Sequence, residues 1–225
     1  MIEGKKVIGI IPARGGSKSV PKKNIKPLSG TPLIGWTIKE ASKSKYIDKL
    51  ILSSDDQEII SVAKKYGLEV PFLRPSGLAQ DDTNPMEVTL HALKKCPGFD
   101  IVVALQPTSP LRNVEDIDGA IRKMIDSDAP ACVSVTLPDK SPYWMFEIDQ
   151  SERLAPLFPG KPLAANRQEL PIVYALNGAV YVADVVWLLE KRSFICPKTL
   201  GYVMPRLRSI DIDDEDDFFL AEKLN

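Results

Sequence analysis

Histidine and cysteine are scarce in this chain. A single histidine, His91, leaves little for a Ser-His-Asp arrangement or a histidine-based metal site. The three cysteines, Cys96, Cys132 and Cys196, lie far apart and form no C-x-x-C pair, so neither a disulfide framework nor a zinc site is expected. No sign of charge dominates: the formal net charge is −1, which offers no whole-chain attraction to nucleic acid or to an anionic membrane. Long apolar runs are also missing. Nothing approaches the roughly 20 apolar residues of a membrane helix, and the run near the N-terminus, about seven residues, is too short for a signal-peptide core. A soluble protein of the reducing cytoplasm is expected.

What is present is ordinary globular material: 225 residues, 44% hydrophobic and 26% charged, enough for one α/β domain with a full core. Short β-branched runs alternate with helical patterns. Strands are predicted at Lys6–Pro12, Lys49–Ser53, Glu69–Leu73, Asp100–Gln106, Ala131–Leu137, Ala175–Ala183 and Gly201–Met204. Most lack polar/apolar alternation, as parallel strands covered on both faces do. Thr31-Pro32 reads as an N-cap and first helical position, Ser54 with Gln57 as a capping box closed by Gly67, and Asn113 with Asp116 as a second helix start. A last helix is expected from Asp213 to Leu224. The alternation predicts a doubly wound, mostly parallel sheet. Residues 138–172, dense in proline, break the rhythm; Tyr143–Asp149 and Arg153–Leu157 read as a hairpin inserted into the single domain 1–225.

The first strand runs into Pro12-Ala13-Arg14-Gly15-Gly16-Ser17-Lys18-Ser19, and Arg14 to Lys26 holds five basic residues and no acid. Ligands of open α/β sheets sit beyond the carboxyl ends of strands. There, Gly15 and Gly16 free backbone N–H groups to face an anion, Ser17 and Ser19 add hydroxyls, and Arg14 and Lys23 can neutralise phosphate oxygens. The loop matches neither G-x-x-x-x-G-K-[ST] nor G-x-G-x-x-G. In isolation a basic loop is more often a solvated surface; its place directly after the first strand favours a phosphate site.

Near the C-terminus, Asp211 and Asp213 alternate with Ile210 and Ile212. At a strand end, that period places both carboxylates on one face. Two carboxylates suit Mg²⁺ completed by phosphate oxygens and water. Asp214, Glu215, Asp216 and Asp217 read instead as favouring the positive end of the following helix. His91 reads as structural, Asp82 and Thr83 as helix-capping, and Tyr143, Trp144 and Phe146 as an interface or core cluster.

Four segments together resemble the acylneuraminate cytidylyltransferase family: Ile11–Lys18 through Lys23-Asn24-Ile25; Leu105-Gln106-Pro107-Thr108-Ser109-Pro110-Leu111-Arg112; Arg167–Pro171 through Asn177-Gly178-Ala179; and Asp211-Ile212-Asp213. They span nearly the whole chain in the family's order. The resemblance implies a Rossmann-like nucleotidyltransferase fold, a homodimer, CTP as nucleotide, an acidic nine-carbon sugar as acceptor, and Mg²⁺ or Mn²⁺. It implies that Ala13, Arg14, Gly15, Gly16, Ser17, Lys23, Asn24 and Arg74 bind the nucleotide. Gln106, Arg167, Tyr174 and Asn177 would bind the sugar, Asp211 and Asp213 the metal, and Arg14, Lys23, Asp211 and Asp213 would carry the chemistry. The inserted segment corresponds to the family's dimerisation element. Where some relatives carry a sugar-facing lysine, this chain has Ser141-Pro142-Tyr143-Trp144-Met145-Phe146, so N-acylneuraminate, legionaminate and pseudaminate types stay open. The extra hydrolase domain that some relatives carry is not expected. A 3-deoxy-octulosonate cytidylyltransferase, a non-catalytic phosphate-binding module and a catalytically silent relative are the alternatives.

Overall fold

The computed structural model describes residues 1–158 and 166–224. Ten strands occur among them: β1 (Val7–Pro12), β2 (Pro27–Leu28), β3 (Thr31–Pro32), β4 (Lys49–Ser53), β5 (Ile101–Leu105), β6 (Ala131–Thr136), β7 (Phe146–Ile148), β8 (Leu154–Pro156), β9 (Ala175–Asp184) and β10 (Leu200–Val203). The helices are α1 (Leu33–Ala41), α2 (Gln57–Lys65), α3 (Pro85–Lys95), α4 (Val114–Asp126), α5 (Val185–Lys191) and α6 (Glu215–Leu224).

Six strands form the main sheet in the order β10-β6-β9-β5-β1-β4. β1 pairs in parallel with β4 and β5, and β10 with β6; β9 alone runs antiparallel, between β5 and β6. Both faces are covered, as the absence of alternation predicts. Val7, Ile11, Ile101, Val103 and Leu105 pack with residues of α1, α2 and α4. Ile8, Ile10 and Val102 pack on the other face with Met86, Leu90 and Leu93 of α3 and Leu188 of α5. A third cluster, including Val20, Leu28, Leu33, Ile212 and Phe218, ties α6 to the segment after β1.

The predicted strand Glu69–Leu73 is not formed. Only Glu69 bridges to Ile51, because Pro71 has no N–H with which to extend the ladder. Three helix starts also move. Thr31 pairs with Leu28 in a two-stranded ribbon, and Pro32 occupies the N-cap of α1, with Leu33 N donating to Lys26 O at 3.0 Å. Asp56, not Ser54, caps α2, accepting from Glu58 N at 2.7 Å and Ile59 N at 3.0 Å; Ser54 Oγ serves the turn before it, accepting from Asp56 N. Asn84, not Asp82 or Thr83, caps α3, accepting from Met86 N at 2.9 Å. In each case the residue whose backbone is extended at the helix entry takes the role. The helix start read at Asn113 with Asp116 is formed, and the two residues make a capping box there. α6 begins at Glu215, with Asp214 Oδ1 accepting from Asp216 N and Asp217 N.

The inserted segment contains the hairpin β7–β8, separate from the main sheet. Its apolar side chains face outward: Ile148 is 71% and Leu154 65% exposed. Pro159 and Pro162 of this segment lie outside the described residues.

Candidate active site

The loop after β1 is fastened to its neighbours before it reaches any ligand. Buried Ala13 donates its N–H to Ser53 O at the end of β4, 3.0 Å away. Gly15 N donates to Asp55 Oδ1 at 3.3 Å, and a Cβ on Gly15 would stand 2.5 Å from Asp56 Oδ2, so the chain passes the start of α2 too closely for a side chain. Asn24, 5% exposed, donates from Nδ2 to Arg14 O at 2.9 Å and holds the far end of the loop. These contacts place Arg14, Ser17, Lys18, Ser19, Lys23 and Asn24 around one cavity of about 390 Å³ at the carboxyl edge of the sheet.

The acidic segment closes the opposite wall. It is not a strand; a single backbone bond, Ile212 N to Thr108 O at 2.8 Å, aligns it with the turn after β5. Alternation still operates: Ile212 is buried, and Asp211 and Asp213 both line the cavity. Lys23 Nζ donates to Ile212 O at 2.7 Å and lies 3.6 Å from Asp213 Oδ1, joining the basic loop to the acidic segment across 189 residues of sequence. Burial pushes the Asp211 carboxyl above its ordinary pKa, opposed by a hydrogen bond from the Thr108 side chain. Asp211 Oδ1 is buried with no hydrogen-bond partner among the described residues.

Arg74 reaches the same cavity from the segment between α2 and α3. Its backbone N–H donates to Ser54 O at 2.8 Å, and Nη2 donates to Asp55 Oδ1 at 3.1 Å. Burial lowers its pKa, and the Asp55 carboxylate partly restores it.

Gln106 stands at the junction with a second cavity of about 300 Å³, lined by Ala104, Tyr181, Arg192 and Phe194 among others. Of the residues implied to complete a sugar pocket, two are placed differently. Asn177 is 5% exposed, and its amide is consumed inside the fold: Ser134 Oγ donates to Oδ1 at 2.6 Å, and Nδ2 donates to Ser209 Oγ at 2.9 Å. It holds a bulge of β9 against β6, where the register shifts between Val133 and Val135 and Ser134 Oγ accepts from Val180 N in place of a ladder carbonyl. Tyr174 is half exposed and lines neither cavity. Arg167 opens a short turn, and its side chain lies outside the described residues.

Sequence reasoning missed Tyr181 and Phe194, whose rings meet at 5.4 Å. Tyr181 carried a signal, as the one side chain with a polar tip in the apolar run Ala179–Ala183. Asp55, the partner of Arg74, carried none.

The fold has well-matched solved relatives. The CMP:2-keto-3-deoxy-manno-octonic acid synthetase complexed with CTP superposes with a TM-score of 0.71 over 97% of this chain and 98% of that one, at 15% identity. The 4-diphosphocytidyl-2C-methyl-D-erythritol synthase of Anaerococcus prevotii gives 0.67 over 98% of each chain, at 17% identity. The architecture is therefore the Rossmann-like nucleotidyltransferase fold. The family model described as cytidylyltransferase matches residues 8–154. The CMP-N,N'-diacetyllegionaminic acid synthase of Legionella pneumophila is 36% identical over 97% of this chain and 96% of its own. The pseudaminic acid cytidylyltransferase of Campylobacter jejuni is 33% identical over 96% and 94%. The N-acylneuraminate cytidylyltransferase of Escherichia coli is 34% identical over 96% of this chain, which spans about half of that relative's length. The chain belongs to the cytidylyltransferase family.

Proposed function

We propose that this enzyme transfers CMP from CTP to the anomeric hydroxyl of a sialic-acid-like nine-carbon sugar acid, of N-acylneuraminate, legionaminate or pseudaminate type, and releases pyrophosphate. The observation that carries this reading is one cavity in which Arg14, Lys23, Arg74, Gln106, Asp211 and Asp213 meet. Relatives covered over nearly their whole length that act on legionaminic and pseudaminic acids support the nine-carbon class. The octulosonate synthetase shares the fold at only 15% identity.

In the reaction the sugar's anomeric oxygen bonds to the α-phosphorus and its proton is released. The bond to the β-bridging oxygen breaks, and pyrophosphate leaves with the electron pair. Positioning and charge drive the transfer. Arg14 and Lys23 hold the triphosphate and offset the charge that gathers on the leaving group. Arg74, buried against Asp55 in the cavity wall, would contact the cytosine base. Gln106, which both donates and accepts, reads sugar hydroxyls. The buried, unpartnered Asp211 Oδ1 beside Asp213 fits a divalent cation. Among the described residues no three His, Cys, Asp or Glu side chains gather into a metal cage, so phosphate oxygens and water would complete the shell. Asp211 and Asp213 would hold Mg²⁺ or Mn²⁺, which supplies positive charge to phosphate oxygens.

The same reading makes the chain a homodimer through the hairpin β7–β8. A two-stranded ribbon is marginal alone, and exposed Ile148 and Leu154 favour a covering surface. Among the described residues no helix is long and apolar enough to cross a membrane; a cytoplasmic site of action is part of the proposal.

The test is pyrophosphate release with Mg²⁺, crossing CTP, UTP, ATP and GTP with N-acetylneuraminate, a legionaminate, a pseudaminate and 3-deoxy-octulosonate. Release with CTP and one nine-carbon acid is expected and names the substrate. Release with the eight-carbon acid alone overturns the sugar class.

A further inference from the structure

Arg112 heads the set of largest fully buried side chains, at 1% exposure. Among the described residues no carboxylate forms an ion pair with it. Asp116, on the helix that follows, is bonded through both oxygens by Arg208, at 2.9 Å each. Burial pushes the Arg112 guanidinium down to about 10, against opposing attraction from Asp116, Glu40 and Asp211. Its Nε has no hydrogen-bond partner among the described residues. A buried, unpaired cation is costly where an apolar side chain would pack freely, so the bonds it does make need an explanation.

Those bonds fall at one point of the sheet. The β5–β9 ladder ends at Leu105 opposite Val180, so the next pair would be Gln106 and Ala179. Instead, Arg112 Nη1 donates to both carbonyls, to Gln106 O at 3.0 Å and Ala179 O at 2.7 Å. Nη2 donates to Thr37 Oγ1 of α1 at 2.7 Å. The guanidinium thus stands where the ladder would have continued, and the two strands part around it. On one side of the parting is Gln106, shared by both cavities. On the other is Gly178, left-handed at φ 72°, whose Cβ position lies 3.1 Å from Asp211 Oδ2.

We propose that Arg112 is a positioning residue that wedges β5 from β9 and so sets the separation between the acceptor-reading Gln106 and the carboxylate of Asp211. A planar guanidinium fork suits such a wedge, because one nitrogen spans two carbonyls while the other reaches Thr37. A lysine ammonium on a flexible stem does not reproduce this geometry. The assignment of Gln106 to the acceptor rests on the function proposed above; the wedge itself does not.

Two measurements on Arg112→Lys separate the two. Hydrogen exchange of the intact protein should quicken in residues 104–109 and 176–182 and stay unchanged in 13–25. Unchanged exchange at both strand ends overturns the wedge, whatever the substrate. In pyrophosphate release, KM for the sugar acid should rise at least tenfold and by a larger factor than KM for CTP, since the triphosphate loop is tied directly to the end of β4 through Ala13 N and Ser53 O and reaches the turn after β5 only through Lys23 and Ile212. Equal rises in both constants overturn the positioning role, and no change in either does the same. Thr37→Val, which removes the hydroxyl that accepts from Arg112 Nη2 and donates to Gln106 O and leaves the guanidinium in place, should shift the same two readouts in the same direction by a smaller amount if Arg112→Lys does not fold. Absence of turnover by wild-type enzyme with every acid of the panel overturns the proposed function and leaves the exchange result to judge the wedge.

Discussion

Arg14 Nη1 donates to Asp81 Oδ1 at 2.7 Å, across 67 residues of sequence, and Lys18 takes the second oxygen of the same carboxylate. The loop that would hold the triphosphate thus has an internal anion on it, carried by the segment before α3. A triphosphate competes with Asp81 for both cations. Asp81→Asn should therefore lower KM for CTP, by about two- to fivefold given the modest strength of exposed pairs. An unchanged or raised KM in steady-state kinetics would show that Asp81 assists the nucleotide instead.

The same pair carries a pH signature. Lys18 first, then Arg14, hold the Asp81 carboxyl below its ordinary range. A depressed folded-state pKa contributes stability that is present above the unfolded pKa and is lost as pH falls through the folded one. Thermal unfolding of wild type and Asp81→Asn should differ at neutral pH and converge in acid below both values. A constant gap at all pH values would locate the effect of the substitution elsewhere.

Asp211→Asn should separate activity from stability. Loss of a charged group at the reacting centre costs about 10²- to 10³-fold in turnover. Burial raises the Asp211 carboxyl, so the fold disfavours its charged form at neutral pH, and a neutral isostere should unfold at the same temperature or higher. Chelation of divalent cations should silence the wild type reversibly. Wild-type turnover in the variant would remove Asp211 from the metal site.

Gly178→Ala should impair the enzyme through Asp211. The left-handed backbone costs a non-glycine residue about 1–2 kcal/mol, and the new methyl would press on the Asp211 carboxylate, 3.1 Å from Oδ2. Turnover should fall in the wild-type background and change little further in Asp211→Asn, a non-additivity that a double-mutant cycle reads directly. Strict additivity would mean that the glycine serves the fold alone.

The hairpin makes its own prediction. Ile148→Asp places a charge on an apolar side chain that is 71% exposed in the single chain. Sedimentation should show the mass halving relative to wild type while the thermal transition of the main domain persists. An unchanged mass would remove the hairpin from any proposed dimer contact.

Most of the sheet was legible because its signals are local. The β-branched runs that became β1, β4, β5, β6, β9 and β10 declare burial by composition alone. The Asn113–Asp116 box is a contact between residues three apart. The misplaced caps at Thr31, Ser54 and Asp82-Thr83 share a cause: several candidates stood side by side, and the winner was the residue whose backbone the tertiary path left extended. Glu69–Leu73 failed as a strand on one missing N–H, at Pro71.

The sequence by itself determined the chemical vocabulary of the site: a basic, glycine-containing loop after the first strand, a pair of aspartates at period two, and a glutamine at a strand's end. Loop chemistry and side-chain period depend on neighbours a few residues away, so they can be read along the chain. Only the tertiary structure decided which of these groups meet. Lys23 reaches Ile212 O, Thr108 O receives Ile212 N, and Asn177 turns into the β6–β9 bulge instead of a pocket. Each of these follows from strand order and bulge geometry, which place segments up to 189 residues apart in contact. No local pattern encodes such neighbours, because they are set by how the two faces of the sheet are covered and where its ladder ends.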